Sequence, residues 1–108
     1  MTTHEFLQVF VTIDDRERAN SICKEVVEKR LAACAQVLGP IQSIYWWQGK
    51  VEDSQEWLCL MKTSSDRYDE LEIPVISLHP YDTPEVIALP IEKGSERYLK
   101  WLGEELKD

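Results

Sequence analysis

The side chains of this chain that could do chemistry are few and scattered. His79 is followed by Pro80-Tyr81-Asp82, where a helical pattern gives way to the last core strand. An imidazole at such a place is a neutral ligand for a divalent metal or a polar anchor in a pocket. A helix-end histidine bonding a carbonyl is the plainer reading, and on the sequence alone it carries more weight. Cys34 stands among small residues, Ala32-Ala33-Cys34-Ala35. Its thiolate could hold Cu(I), or attack a substrate beside a cation that lowers its pKa; packed as a small hydrophobe it would do neither. Cys23 and Cys59 have apolar neighbours and are expected in the core. Lys62 ends an apolar strand, and lysine is rarely buried alone. It is expected to reach a carboxylate, Glu85 or Asp82, or to line a polar pocket.

Tyr45, Trp46, Trp47 and Trp57 could stack a planar ligand, although packing and subunit contact are the commoner uses of aromatic residues. Glu52-Asp53 and Gln55-Glu56 near a hairpin tip could meet cations, and a solvated turn accounts for them equally well. The sequence holds no Ser-His-Asp set, no HExxH and no phosphate-cradling glycine loop, with four glycines in all. An enzyme here would have to assemble its site from scattered residues, or from two chains. These features point to binding rather than catalysis.

The bulk composition narrows the partners. A length of 108 residues fits one domain spanning 1–108. Hydrophobic residues at 44% and charged residues at 30% are ordinary globular values. Twelve Lys and Arg against twenty Asp and Glu leave a formal charge of −8. Such a surface repels phosphate backbones, and no basic run exceeds a dipeptide, so nucleic acid is not an expected partner. No stretch approaches the roughly 20 apolar residues of a membrane helix. The polar start, Met1-Thr2-Thr3-His4-Glu5, lacks the features of a secretory leader. Three cysteines without a CxxC pair suggest reduced thiols, hence a cytoplasmic protein.

The elements that must position these residues follow from periodicity. Phe6 to Ile13 reads as a mostly buried strand. Asp14 and Glu17 are placed to cap a helix whose stripe is Ala19, Ile22, Cys23, Val26, Val27 and Leu31. Ala33 to Leu38 forms a second strand that Gly39-Pro40 is expected to stop. Ile41 to Gln48 then turns at Gly49-Lys50 and returns as Val51 to Thr63. Both arms carry consecutive bulky residues, so apolar side chains fall on both faces of the sheet. One helical layer covers one face, so the other is expected to be buried against another chain. Ser64-Ser65-Asp66 offers N-caps for a second helix through Leu71 and Val75, which Pro74 is expected to kink or shorten. Glu85 to Ile91 is a strand that ends near a sheet edge or at a bulge, because Pro90 cannot donate to a ladder. Gly94-Ser95 caps a last helix with Tyr98, Trp101, Leu102 and Leu106 on one face. The order predicts an α+β, ferredoxin-like βαββαβ two-layer sandwich with a long central hairpin and a C-terminal helix.

Several segments then act together as a signature. Glu28-Lys29-Arg30-Leu31-Ala32-Ala33-Cys34, Ser43-Ile44-Tyr45-Trp46-Trp47-Gln48-Gly49-Lys50, Lys62-Thr63, His79-Pro80-Tyr81-Asp82-Thr83-Pro84-Glu85 and Tyr98-Leu99-Lys100-Trp101-Leu102 resemble the CutA divalent-cation tolerance family over nearly the whole chain. The resemblance implies a cytoplasmic homotrimer, similar in fold to the PII signalling proteins, linked to tolerance of copper and other divalent cations. It implies an interface pocket onto which Cys34, Trp47, Lys62, His79, Tyr81 and Glu85 map. A small anionic ligand on Lys62 is the alternative occupant of that pocket. Where some members are assigned copper ligands, this chain has Val11 and Leu78, which leaves His79 as the metal-ligand candidate. Tyr81 is followed by Asp82 where glutamate is common, and Pro74 interrupts a helix that usually continues.

Overall fold

Alternation along one strand gives the molecule its two faces. In β1 (Phe6–Ile13), Val9, Val11 and Ile13 are fully buried, while Gln8, Phe10 and Thr12 point the other way. The computed structural model describes residues 5–107. The polar stretch 1–4, on which the absence of a leader was argued, lies outside the described residues. After β1 come α1 (Arg16–Glu28), β2 (Cys34–Trp47), β3 (Lys50–Ser64), α2 (Tyr68–Leu78), β4 (Val86–Pro90) and α3 (Glu96–Glu105). The sheet runs β2-β3-β1-β4 with every neighbour antiparallel. This is the expected α+β sandwich, with Pro90 on an edge strand.

The helices follow their stripes, with small shifts at the ends. Asp15, not Asp14, caps α1: its carboxylate accepts from the backbone of Glu17 at 2.9 Å and Arg18 at 3.3 Å. Ala19, Ile22, Cys23 and Val26 then pack with Leu71 and Val75 of α2 over Val9, Val11, Cys59 and Met61. Pro74 neither breaks nor ends α2, which is helical from Tyr68 to Leu78. The proline forfeits one backbone bond, and buried Leu71 and Val75 on either side hold the turn in place. Arg67 stands at the N-cap instead of Ser64, Ser65 or Asp66, while the Ser64 hydroxyl donates to Asp66 Oδ1 at 2.5 Å.

The central hairpin is longer than expected. Gly39-Pro40 does not stop β2. The strand continues, and the pairing slips between Leu38↔Leu58 and Ile41↔Glu56, one extra residue accommodated as a bulge. Gly39 is required there, because a Cβ would run into the indole of Trp57. The tip is a two-residue turn at Gln48-Gly49, one position earlier than expected, with φ of 51° and 80°. Two left-handed residues match the twist of the flanking strands.

The second face of the sheet stays largely bare. Across it, Gln36, Leu60, Phe10 and Ile87 form one row, and Leu38, Leu58 and Thr12 the next. Leu38, Ile87 and Leu89 are about half exposed. Helix α3 shelters only one end, where Leu102 and Leu106 pack on Phe6 with Leu99 beside them. Trp101, on the same helix, remains 39% exposed.

Candidate functional site

His79 follows the last turn of α2 and is buried. Its Nε2 lies 2.8 Å from the Thr12 carbonyl, which can only accept, and the Tyr81 backbone N–H donates to Nδ1 at 3.2 Å. The ring is therefore the neutral Nε2–H tautomer with both nitrogens engaged. In this structure His79 serves as an anchor: with both ring nitrogens engaged, it ties the connector after α2 to the end of β1.

That anchor aims Tyr81. The two rings meet edge to face at 4.6 Å, and the Tyr81 hydroxyl donates to Glu56 Oε2 at 2.8 Å. Burial, and then the bond to Glu56, push the Tyr81 phenol well above its usual range, so it stays protonated. Glu85 Oε1 accepts from the Thr12 hydroxyl at 3.2 Å. On the hairpin side, Tyr45 and Ser54 share a hydroxyl contact of 3.2 Å. Together these residues wall a crevice of about 750 Å³ that also takes in Trp47, Asp14 and Asp82. Four carboxylates, from Asp14, Glu56, Asp82 and Glu85, line it, with no lysine, arginine or histidine. Among the described residues no three His, Cys, Asp or Glu side chains converge to hold a metal. The four carboxylates therefore make an acidic concavity but no preformed cage for a cation.

The residues singled out from sequence fall into two groups within one chain. Trp47, Tyr81 and Glu85 line the crevice, with His79 behind Tyr81. Cys34 and Lys62 are cross-strand partners toward the opposite end of the sheet. Lys62 Nζ donates to Gln36 Oε1 at 3.2 Å instead of reaching Glu85 or Asp82; Lys62 pairs with Gln8 of β1, whereas Glu85 meets Thr12, four residues further along. The Cys34 sulfur is 3.6 Å from the Tyr98 hydroxyl. Burial and that contact push the Tyr98 phenol up to about 12. Cys23 and Cys59 are buried core thiols, and the Cys23 thiol is pushed up by its bond to Cys59 and by burial. A second groove, about 920 Å³, runs between α3 and the Ser64–Arg67 turn, but its walls carry both signs of charge and none of the singled-out residues. Glu56, at the centre of the crevice, had been read only as a hairpin-tip acid. Its signal was parity: it shares a side of β3 with Leu58 and Leu60, the apolar face that the residue order expects to be covered by another chain.

Residues 7–105 match the family model of the CutA1 divalent ion tolerance protein. The chain belongs to the CutA family. The divalent-cation tolerance protein CutA of Thermus thermophilus is 46% identical over 96 residues, covering 89% of this chain and 93% of that protein. The solved structure of the Thermus thermophilus protein superposes with a TM-score of 0.90 at 44% identity, over 93% of this chain and 97% of that one. The Archaeoglobus fulgidus CutA structure, described as a periplasmic divalent cation tolerance protein, gives a TM-score of 0.91 at 36% identity, covering 94% and 99%. A chloroplastic CutA of Oryza sativa is 41% identical over 94% of this chain, which spans 57% of that protein. These relatives correct the expectation of a cytoplasmic protein. CutA chains are described from a periplasm and a chloroplast, and unpaired thiols, two of them buried here, do not report the compartment. Among the described residues of this CutA chain no helix is long and apolar enough to cross a membrane.

Proposed function

We propose that this CutA chain is a homotrimeric divalent-cation tolerance protein that binds and responds to copper or a similar ion without turning over a substrate. The observation that carries the reading is the crevice, where four carboxylates face one concavity with no basic side chain among its walls. A concave site of one sign raises the local concentration of counter-ions. Because the carboxylates do not converge, the ion enters with much of its water and is held by charge, so binding weakens with salt. The bare apolar rows of the sheet support association, since a contiguous exposed apolar surface marks an interface, and a head-to-tail contact can close as a ring of three.

Isothermal titration with Cu²⁺ and Zn²⁺ at low and high salt tests the binding. Saturable heat that falls with salt and drops in a Glu56→Gln/Glu85→Gln variant is expected. Equal heat in that variant would overturn the reading. Lys62 favours a second one. Among the described residues it has no carboxylate partner, only Gln36, so it is free to pair an anion. The protein would then be a PII-like sensor for a small anionic ligand, in a pocket drawing Cys34, Trp47, Lys62, His79, Tyr81 and Glu85 from two chains. A thermal shift with anionic metabolites that vanishes in Lys62→Ala would favour it over metal binding.

A further inference from the structure

Two of the three thiols meet inside the molecule. Cys23 lies on the buried stripe of α1, and Cys59 on the side of β3 that faces the helices; both belong to one core cluster. The Cys59 thiol donates to the Ala19 carbonyl at 3.9 Å, and Ala19 stands one turn before Cys23 on the same face of α1. The Cys23 thiol in turn bonds the Cys59 sulfur, which raises Cys23 and holds Cys59 below its ordinary value. Cys59 is sealed, and Cys23, 7% exposed, gives the pair its edge toward solvent. The contact lies between the helices and the sheet, so association through the bare face of the sheet leaves it unchanged.

One buried cysteine is a small apolar filler. Two sulfurs in contact across two elements have a second chemistry, because each can displace a leaving group from the other. We infer that Cys23 and Cys59 are an oxidisable pair, which a small hydroperoxide converts to a disulfide joining α1 to β3. One sulfur, as thiolate, attacks a peroxide oxygen; the O–O bond breaks, and the departing oxygen takes up the proton that the thiol released. The second sulfur then attacks the sulfenic sulfur, the S–O bond breaks, and water leaves with the second thiol proton. With hydrogen peroxide, two thiols and one peroxide give one disulfide and two waters, the sulfurs losing the two electrons that the peroxide gains. The dry surroundings favour completion, since a sulfenic acid is a polar group among the apolar side chains of that cluster and a disulfide is not. The inference goes beyond the divalent-ion reading and does not depend on it.

The test treats the folded full chain with hydrogen peroxide, blocks the remaining thiols with iodoacetamide in urea, and reads tryptic peptides by mass spectrometry. Cleavage after Arg18, Lys24, Arg30, Lys50 and Lys62 puts Cys23, Cys34 and Cys59 in separate peptides. The expected product is peptide 19–24 joined to peptide 51–62, lighter than their sum by two hydrogens and separated again by dithiothreitol. It should exceed any link to Cys34 by about tenfold or more, because the folded chain holds the two sulfurs together. The yield should not fall on dilution or in Cys34→Ser, as an intrachain bond requires. Peroxide added after unfolding in urea should erase the preference. Both thiols still alkylated after peroxide, oxygen added to each sulfur without a link, or Cys34 joined as often as either partner would overturn the inference.

Discussion

Replacing His79 by alanine removes two hydrogen bonds at once and leaves the Thr12 carbonyl and the Tyr81 N–H without their partner. Unsatisfied buried groups cost about 1–3 kcal/mol each, so we expect His79→Ala to lose roughly 2–4 kcal/mol in urea denaturation. Its copper heat, measured on the folded fraction, should match the wild type, since neither ring nitrogen is free for a metal; lost heat would return His79 to the ligand list. The histidine was legible in sequence as a singular residue, but its role was not. A motif supplies the imidazole, and only the fold supplies the Thr12 carbonyl, 67 positions away. The tyrosines give a second test at this scale. Tyr68 is pushed up to about 12 by burial and by its bond to Glu72, and Tyr98 to about 12 by burial and Cys34. In the unfolded chain both lose their proton near about 10. Their contribution to stability is therefore complete below about pH 10 and falls as pH rises through 12, because the folded state retains protons that the unfolded state has lost. Absorbance of phenolate at alkaline pH would follow this, and Glu72→Gln should lower the Tyr68 midpoint alone.

Between elements, the helix α2 and the long hairpin carry what the pattern left open. Propensity marks Pro74 as a breaker, yet α2 runs through it because Leu71 and Val75 are fully buried against α1 and the sheet. Tertiary packing outweighed a local preference of about 3 kcal/mol. The corresponding prediction is that Pro74→Ala stabilises the protein by about 1–3 kcal/mol by restoring a backbone bond and removing the ring clash. A lowered melting temperature would mean that the proline relieves more in the unfolded chain than it costs in the helix. Gly39-Pro40 misled in the same sense. It resembles a strand terminator, but the bulge it forms keeps β2 paired and lets the Gly39 backbone pass the Trp57 ring. Strand boundaries within a paired hairpin are set by the partner strand, which periodicity along one segment does not contain. The crevice shares this origin: Ser43, Tyr45 and Trp47 reach the level of Glu56 and Tyr81 only because the hairpin continues beyond the bulge.

Over the whole molecule, the doubled apolar character of the hairpin was readable from residue order, and the structure places it. One side of the sheet is sealed by α1 and α2, and the other carries Phe10, Leu58, Leu60, Ile87 and Leu89 with α3 over one end only. Ile87 lies mid-strand on β4, pairs with Phe10, and is 50% exposed. A charge there costs the isolated chain little, since the side chain already meets water. Against a second copy the same charge would be stripped of water with no partner, at several kcal/mol. Ile87→Lys should therefore keep its circular dichroism while dropping in sedimentation equilibrium from three times the chain mass to the mass of one chain. Its thermal stability should also lose the dependence on protein concentration expected of the wild type, because assembly stabilises the folded chain by mass action. A wild-type chain that already sediments as a single folded copy at micromolar concentration would remove the trimer and leave the acidic crevice to be judged as a site of one chain.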